Sequence, residues 1–218
     1  MYKKKFFFIV FEGIEGSGKS YLSKKLYYSL KKKTGLPIIL TREPGGTRLA
    51  EKIREIILKD YFASNIKEKF HKYTDTLLYL AARNEHLVNV IKPALYKKKI
   101  VICDRFVDST MAYQVYGKKV NKKFIDNIHR IILGKLKADI TFVLTVKIGK
   151  ALDRLKKRKL KNRYDKFSKK FYINAQNSFI KIAKQNKKSY FVFDNSSNDN
   201  SIHKKILNII NKKLNVKN

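Results

Sequence analysis

Residues 6–20 read Phe6-Phe7-Phe8-Ile9-Val10-Phe11-Glu12-Gly13-Ile14-Glu15-Gly16-Ser17-Gly18-Lys19-Ser20, and this stretch decides the fold. Phe6–Phe11 is a run of aromatic and β-branched residues, which is typical of a strand buried on both faces in a parallel sheet. Gly13–Ser20 then matches the pattern G-x-x-x-x-G-K-[ST] and leads into a segment of helical period. A strand, a glycine-rich loop and a helix in this order cradle phosphate oxygens with backbone N–H groups. The stretch therefore predicts a nucleoside triphosphate site.

We call Gly13–Ser20 the phosphate loop and expect all of it to contact the nucleotide. Its members are Gly13, Ile14, Glu15, Gly16, Ser17, Gly18, Lys19 and Ser20. Lys19 should reach the terminal phosphates, and the hydroxyl of Ser20 should bind Mg²⁺.

Four more strand-like runs lie further along the chain: Ile38–Thr41, Ile100–Cys103, Thr141–Val146 and Tyr190–Phe193. Segments of helical period lie between and after the runs, at about 19–33, 48–59, 73–96, 121–134, 148–158, 166–186 and 201–214. Strands that alternate with helices predict a doubly wound α/β fold with a five-stranded parallel sheet. The sequence shows no repeat and no clear linker, so one domain over residues 1–218 is expected.

Composition restricts the class of protein. With 218 residues, 44% hydrophobic and 12% aromatic, the chain can bury a core, which excludes a wholly disordered protein. Its 51 Lys and Arg against 17 Asp and Glu give a net charge of +34. That charge suits nucleic acid, a membrane surface or an anionic substrate, and its sign does not choose among them. The basic residues are scattered along the chain, so a purely compositional origin stays open.

Cysteine and histidine usage argues against a disulfide framework and a zinc site. Cys103 is the single cysteine, which fits a reducing cytosol and predicts a cytoplasmic protein. No two of the four histidines have a spacing that would place them together on one face of a helix, as a zinc site would need. The basic residues before Phe6 imitate a signal peptide, but the apolar run after them is short and ends at Glu12. No apolar run of about 18 residues is present, so no membrane span is expected.

Polar segments follow the second and third predicted strands. They are Thr41-Arg42-Glu43-Pro44-Gly45-Gly46-Thr47, and Asp104-Arg105-Phe106 with Asp108-Ser109-Thr110-Met111-Ala112-Tyr113-Gln114. Ligands of such sheets bind beyond the carboxyl ends of the strands, so both segments should face the phosphate loop. Asp104 is the expected carboxylate near Mg²⁺, and Arg105 can clamp the phosphate of an acceptor.

These segments together resemble one family, the thymidylate kinases, which transfer the γ-phosphoryl group of ATP to dTMP. The resemblance covers about residues 6–215 and rests on the phosphate loop, the two polar segments and Tyr79-Leu80-Ala81-Ala82-Arg83. It implies ATP as donor and Mg²⁺ as cofactor. It also implies a homodimer, with the segment 73–96 in the interface.

The resemblance implies a role for each matching residue. Those implied to bind substrate are Glu43, Arg54, Tyr79, Arg83, Arg105, Ser109, Thr110, Tyr113 and Gln114. Among them, Tyr79 would stack on thymine and Arg83 would donate to its edge, while Tyr113 would crowd the 2′ position. Arg54 and Arg105 would hold the dTMP phosphate. The implied catalytic residues are Lys19, Arg105, Arg163 and Glu15, of which Glu15 would face the acceptor sugar.

A small mobile lid over residues 156–168 is also implied, and we call these residues the lid segment. Arg163 matches the arginine of the family's lid motif, which matters because the phosphate loop here contains no arginine. A closing lid excludes water and brings cations to the transferring group. The sequence departs from the motif at Lys159, where Gly is usual, and at Asn162, where Asp is usual.

Two other functions stay open at this stage. One is a kinase for a different deoxynucleotide or for a deoxynucleoside, against which Tyr79, Arg83 and Gln114 argue. The other is a basic phosphate-loop protein that docks on nucleic acid and uses a nucleotide as a switch. The scattered charge argues against it, so we expect no specific nucleic acid partner and no membrane partner.

Overall fold

A computed structural model describes residues 7–58, 70–158, 162–197 and 199–214. Its sheet has five parallel strands in the order β2-β3-β1-β4-β5. The strands are β1 Phe7–Gly13, β2 Ile38–Arg42, β3 Ile100–Asp104, β4 Ile140–Thr145 and β5 Tyr190–Asp194. The predicted α/β class and five-stranded parallel sheet are confirmed. The fourth strand begins and ends one residue earlier than predicted, and Phe6 lies outside the described residues.

The helices cover most of the predicted segments. They are α1 Lys19–Thr34, α2 Arg48–Leu58, α3 Lys72–His86, α4 Lys92–Tyr96, α5 Val107–Thr110, α6 Lys122–Leu133, α7 Ile148–Lys156, α8 Lys169–Gln185 and α9 Ser201–Leu214. A 3₁₀ turn spans Arg163–Lys166.

Two π-helical segments depart from the sequence prediction. Leu87–Ile91 joins α3 to α4, so the segment 73–96 is not one regular α-helix. Met111–Gly117 continues α5, and neither it nor α5 was predicted. Both π segments contain fully or nearly fully buried residues, such as Leu87 and Tyr113. Both segments thus contribute to the core, and the sequence did not indicate that they would be π-helical.

The central strands β1, β3 and β4 are buried on both faces of the sheet, whereas the edge strands β2 and β5 are partly exposed. Phe7, Ile9 and Phe11 pack with the apolar side chains of α1 and α9. Phe8 and Val10, which alternate with them, pack on the opposite face with Leu87, Ile91 and Phe106. This alternation explains why β1 is apolar at every position rather than at every second one.

The sheet order also positions the site. β1 lies between β3 and β4, and Phe11 pairs with Asp104 in the register of β1 and β3. The phosphate loop and the segment after β3 therefore leave the sheet side by side. Among the described residues, no helix is both long and apolar enough to cross a membrane.

Candidate active site

The phosphate loop runs from the end of β1 to the start of α1, and two of its glycines are required by their surroundings. Gly13 has φ 139° and Gly18 has φ 93°, a region of backbone conformation that favours glycine. A Cβ atom on Gly13 would overlap the carbonyl oxygen of Leu144, and one on Gly18 would overlap the side chain of Asn195. Close packing against the end of β4 and the loop after β5 thus fixes the cradle.

Lys19 is buried and folds back over the phosphate loop. Its Nζ donates to the carbonyl oxygen of Ile14 at 2.7 Å and lies 3.4 Å from Oγ of Ser17. Burial, reinforced by the positive charge of Arg105, lowers the pKa of Lys19 to about 8. A triphosphate in the cradle would raise this pKa again and favour the charged ammonium group.

Two residues that the sequence did not indicate hold the loop from outside. Asn195 donates from Nδ2 to the carbonyl oxygen of Ser17 at 2.8 Å. Arg154 donates to the carbonyl oxygens of Gly16 at 2.8 Å and Asn195 at 3.0 Å. Their partners lie far away in the sequence, so no local pattern could have revealed them.

The residues present fit a magnesium ion that arrives with a nucleotide. Oγ of Ser20 donates a short hydrogen bond to Oδ2 of Asp104, and Oδ1 of Asp104 is buried without a hydrogen-bond partner. Mg²⁺ is commonly held by one or two protein oxygens together with phosphates and water. The described part of the chain contains no cluster of three or more His, Cys, Asp and Glu side chains that could hold a metal without the nucleotide.

Arg105 belongs to the segment after β3 and connects it to the phosphate loop. Its Nη1 donates to the carbonyl oxygen of Gly13 at 2.9 Å and to Oγ of Ser109 at 3.0 Å. Its Nη2 lies 2.7 Å from Oε1 of Glu15, whose other oxygen accepts from the hydroxyl of Tyr113 at 2.5 Å. Burial opposes the charge on Glu15, but Arg105 and Lys19 outweigh it and lower the pKa of this carboxyl group.

One cavity of about 610 Å³ joins both predicted halves of the site. This volume is typical of a small-molecule site. The predicted residues that line it are Glu15, Gly16, Gly18, Lys19, Ser20, Glu43, Arg54, Tyr79, Arg83, Asp104, Arg105, Ser109, Thr110, Tyr113 and Gln114. Gly13, Ile14 and Ser17 shape the loop behind this surface. Arg163 is not among the lining residues.

Tyr79, Arg83 and Gln114, from α3 and the π segment after α5, line the same cavity as the phosphate loop. Arg83 is buried and donates from Nε to Glu43 at 2.7 Å and from Nη2 to the carbonyl oxygen of Phe106 at 2.8 Å. Nε2 of Gln114 is buried and has no hydrogen-bond partner. Two N–H donor groups of different chemistry are thus present at one end of the cavity.

Tyr79 contacts a residue of the lid segment. The hydroxyl groups of Tyr79 and Tyr164 share a short hydrogen bond. Tyr164 is buried, and its ring packs edge-on against Tyr113 with 5.6 Å between the ring centroids. Burial raises the pKa of Tyr79 to about 12, so its ring stays neutral. Tyr164 therefore closes the cavity beside Tyr79, a role that the sequence did not indicate.

Arg163 does not itself line the cavity, but its guanidinium lies over the ring of Tyr164, which does. It forms an ion pair with Asp75 of α3, which also accepts from Lys118 at 2.5 Å. Arg158 of the lid segment lines the cavity, and so does Arg154, which precedes that segment on α7. Lys159, one of the departures from the lid motif, falls outside the described residues.

Comparison with known proteins decides the family. The family model described as thymidylate kinase matches residues 11–206. A curated thymidylate kinase of Ehrlichia chaffeensis is 41% identical over 180 residues, covering 82% of this chain and 83% of the relative. That of Wolbachia pipientis wMel is 39% identical over 206 residues, covering 93% and 99%. The chain belongs to the thymidylate kinase family.

A solved structure agrees with this assignment. The crystal structure of thymidylate kinase from Ehrlichia chaffeensis matches with a TM-score of 0.73 and 32% identity. The match covers 94% of this chain and 98% of the crystallised one. The predicted resemblance to the thymidylate kinases is confirmed.

This family member carries one more buried acid that the sequence reasoning missed. Glu12 accepts from the backbone N–H of Phe106 at 2.8 Å, and from Oγ of Ser109 at 2.6 Å. Burial and the nearby Asp108 raise the pKa of Glu12 to about 8. Ser109 in turn contacts Arg105, so Glu12 fixes the turn from which Arg105 projects. The signal in the sequence was the position of Glu12, a carboxylate at the end of an otherwise apolar strand.

Proposed function

We propose that the chain transfers the γ-phosphoryl group of ATP, bound with Mg²⁺, to dTMP, and forms dTDP and ADP. One observation carries this proposal: the phosphate loop and the end holding Tyr79, Arg83 and Gln114 line a single cavity, with Arg105 between them. A donor and an acceptor that share one cavity can meet in line. This arrangement lowers the entropic cost of the reaction.

On the donor side, the phosphate loop would hold the β- and γ-phosphates, with Lys19 neutralising their charge. Ser20 and Asp104 would hold the Mg²⁺ ion, which supplies further neutralisation when it is bound. The buried and unpartnered Oδ1 of Asp104 supports this role.

On the acceptor side, Arg54 and Arg105 would bind the dTMP phosphate. An oxygen of that phosphate attacks the γ-phosphorus, a new P–O bond forms, and the bond to the β,γ-bridging oxygen of ATP breaks. The electron pair of the broken bond leaves with ADP. No general base is needed, because the attacking oxygen is already anionic.

We call the part of the cavity that Tyr79, Arg83 and Gln114 line the base end, and its chemistry supports thymine as the acceptor base. Arg83 has five N–H groups, and its guanidinium can only donate. Thymine presents carbonyl oxygens that accept, whereas cytosine presents an amino group in place of one of them. Gln114 adds a buried Nε2 donor without a hydrogen-bond partner. Tyr113, held by Glu15, supplies the bulk that would exclude a ribose 2′-hydroxyl.

We also propose a cytoplasmic homodimer. Leu77 and Val88 are 49% and 51% exposed on the segment 73–96. Burial of these apolar side chains against a second copy would stabilise a dimer. The free and buried Cys103 fits a reducing compartment. The net charge of +34 is proposed to have no catalytic role.

The experiment that tests the reaction uses purified protein, MgATP and a panel of nucleoside monophosphates, with release of ADP and the phosphorylated product both measured. We expect dTDP to form in step with ADP. Lys19→Ala is the matched control, which should show neither product. ADP release without any nucleoside diphosphate product would contradict the proposal.

A further inference from the structure

Arg83 is held from several sides at the base end of the cavity. Its Nε donates to Glu43, its Nη1 donates to Oγ1 of Thr110 at 2.7 Å, and its Nη2 donates to Phe106. These partners belong to segments that themselves line or adjoin the cavity. Its guanidinium also lies over the ring of Phe106, 5.5 Å from the centroid.

A fourth partner comes from a helix outside the cavity. Nε2 of His129, in the third turn of α6, lies 2.8 Å from Nη1 of Arg83. His129 shares the buried face of α6 with Ile125 and does not line the cavity. It is not part of any motif on which the family resemblance rests.

The chemistry of this contact is fixed by the guanidinium. Arg83 can only donate, so Nε2 of His129 must accept and the proton of the neutral ring must sit on Nδ1. Burial and the charge of Arg83 lower the pKa of His129 to about 3, so the ring stays neutral near pH 7.

Four of the five N–H groups of the Arg83 guanidinium donate to partners within the protein. Both N–H groups of Nη1 are used, one by Thr110 and one by His129, and the N–H of Nε is used by Glu43. One N–H of Nη2 is used by Phe106, which leaves a single Nη2 donor for a ligand. Without His129, an Nη1 donor would be unpaired and the guanidinium could rotate toward other acceptors.

We propose that His129 is a positioning residue: by accepting from Nη1 of Arg83 it leaves one Nη2 donor in a fixed place, and so sets the preference for thymine over cytosine. The proposal rests on the proposed function, in which Arg83 reads the base.

The test compares His129→Phe, which keeps a ring but removes the acceptor, with His129→Gln, which keeps an acceptor at similar reach. For the Phe variant we expect kcat/KM for dTMP to fall about tenfold through KM, and the ratio of dTMP to dCMP to fall equally. At saturating dTMP, kcat should stay within about threefold of wild type. The Gln variant should recover most of the preference.

Ile125→Val is the matched control, because it loosens the same face of α6 without touching Arg83. It should keep the wild-type ratio of dTMP to dCMP. A Phe variant that keeps the wild-type ratio of dTMP to dCMP would overturn the proposal, whether or not its activity toward both acceptors falls. If the Phe variant does not fold, His129→Leu replaces it.

A second readout does not depend on the acceptor. Nitrogen-15 NMR of the unliganded protein follows the exchange of the Arg83 guanidinium protons with solvent. Exchange should be at least about tenfold faster in the Phe variant than in wild type, and near wild type in Gln. Unchanged exchange would overturn the positioning role. A wild-type enzyme without preference for dTMP, but with this exchange pattern, would instead contradict the proposed base assignment and leave the contact to Arg83 supported.

Discussion

The guanidinium of Arg105 lies 2.7 Å from the carboxylate of Glu15, so the segment after β3 is bonded directly to a side chain of the phosphate loop. Arg105 has φ 71°, an uncommon backbone conformation that costs about 1–2 kcal/mol for a residue with a side chain. The bonds to Glu15, Gly13 and Ser109 offset that cost. This pair joins the proposed donor and acceptor halves of the cavity through a cation placed between them.

Replacement of Lys19 by Ala should abolish turnover in a protein that still folds. The ammonium group is buried against the loop, while the cradle itself is backbone held by Asn195 and Arg154. We expect kcat to fall at least about 100-fold, as for other single electrostatic contacts in active sites. The melting temperature of the variant is the control for folding. Near-normal kcat in a folded sample would contradict the proposed kinase mechanism.

The affinity for MgATP should depend on pH through Lys19. Because burial lowers the pKa of Lys19 to about 8, the free enzyme loses this charge as the pH rises through that value. We expect the affinity measured by calorimetry to weaken above pH 8, approaching tenfold per pH unit. Bound triphosphate favours the charged lysine, so kcat at saturating ATP should be maintained to higher pH.

Lys19→Arg is the matched control, since arginine keeps its charge throughout this range. The alkaline weakening should disappear in that variant. If the weakening persists, it belongs to another group with a similar pKa, for which Glu12 at about 8 is the candidate. An affinity in wild type that does not change between about pH 7 and 9.5 would contradict the assignment to Lys19.

Arg163 stays a predicted lid cation, although this structure pairs it with Asp75. If it acts during transfer, Arg163→Ala should lower kcat much more than it raises KM for dTMP. Lys118→Ala is the control, because Lys118 is the other cation on Asp75 and its loss disturbs the same carboxylate. Equal effects of both variants would mean that Arg163 only holds the lid segment. A loss of dTMP affinity alone would place it in acceptor binding and direct the search to Arg158.

The sequence predicted the sheet and the centre of the site well, because these depend on local patterns. The apolar run before Gly13 is typical of a buried strand, and the spacing of Gly13, Gly18 and Lys19 is typical of a turn between a strand and a helix. Parallel strands end at one edge of the sheet. The position of Arg105 beside the phosphate loop therefore followed from the order of the elements.

Other features depend on contacts between residues distant in the sequence, and these were not predicted. The π segment Leu87–Ile91 has the same apolar composition as a regular helix. The pairing of Arg163 with Asp75 joins residues 88 positions apart, and many carboxylates could have served as the partner. His129 belongs to no sequence motif, and only the packing of α6 brings it against Arg83.

The high positive charge should produce only weak binding to nucleic acid. Scattered lysines neutralise phosphates without reading bases, so duplex DNA should bind regardless of sequence and release at moderate salt. Fluorescence titration with labelled DNA at rising ionic strength measures this, with and without MgATP. We expect Kd no tighter than about 1 µM at physiological salt. Tighter binding that responds to ATP would favour a nucleotide-dependent switch on nucleic acid.

The preference among acceptors tests the account most directly, through kcat/KM for dTMP, dUMP, dCMP and UMP at one MgATP concentration. An amino group facing Arg83 leaves a buried donor unpaired, at a cost of about 1–3 kcal/mol or more, so dCMP should be poor. UMP should be poor because of Tyr113. The missing methyl group of dUMP costs about 1–2 kcal/mol, so dUMP should remain a detectable substrate. We predict dTMP first and dUMP clearly behind it. Equal use of dCMP and dTMP would contradict the assignment of Tyr79, Arg83 and Gln114 to the base, and equal use of UMP and dTMP would contradict the role of Tyr113.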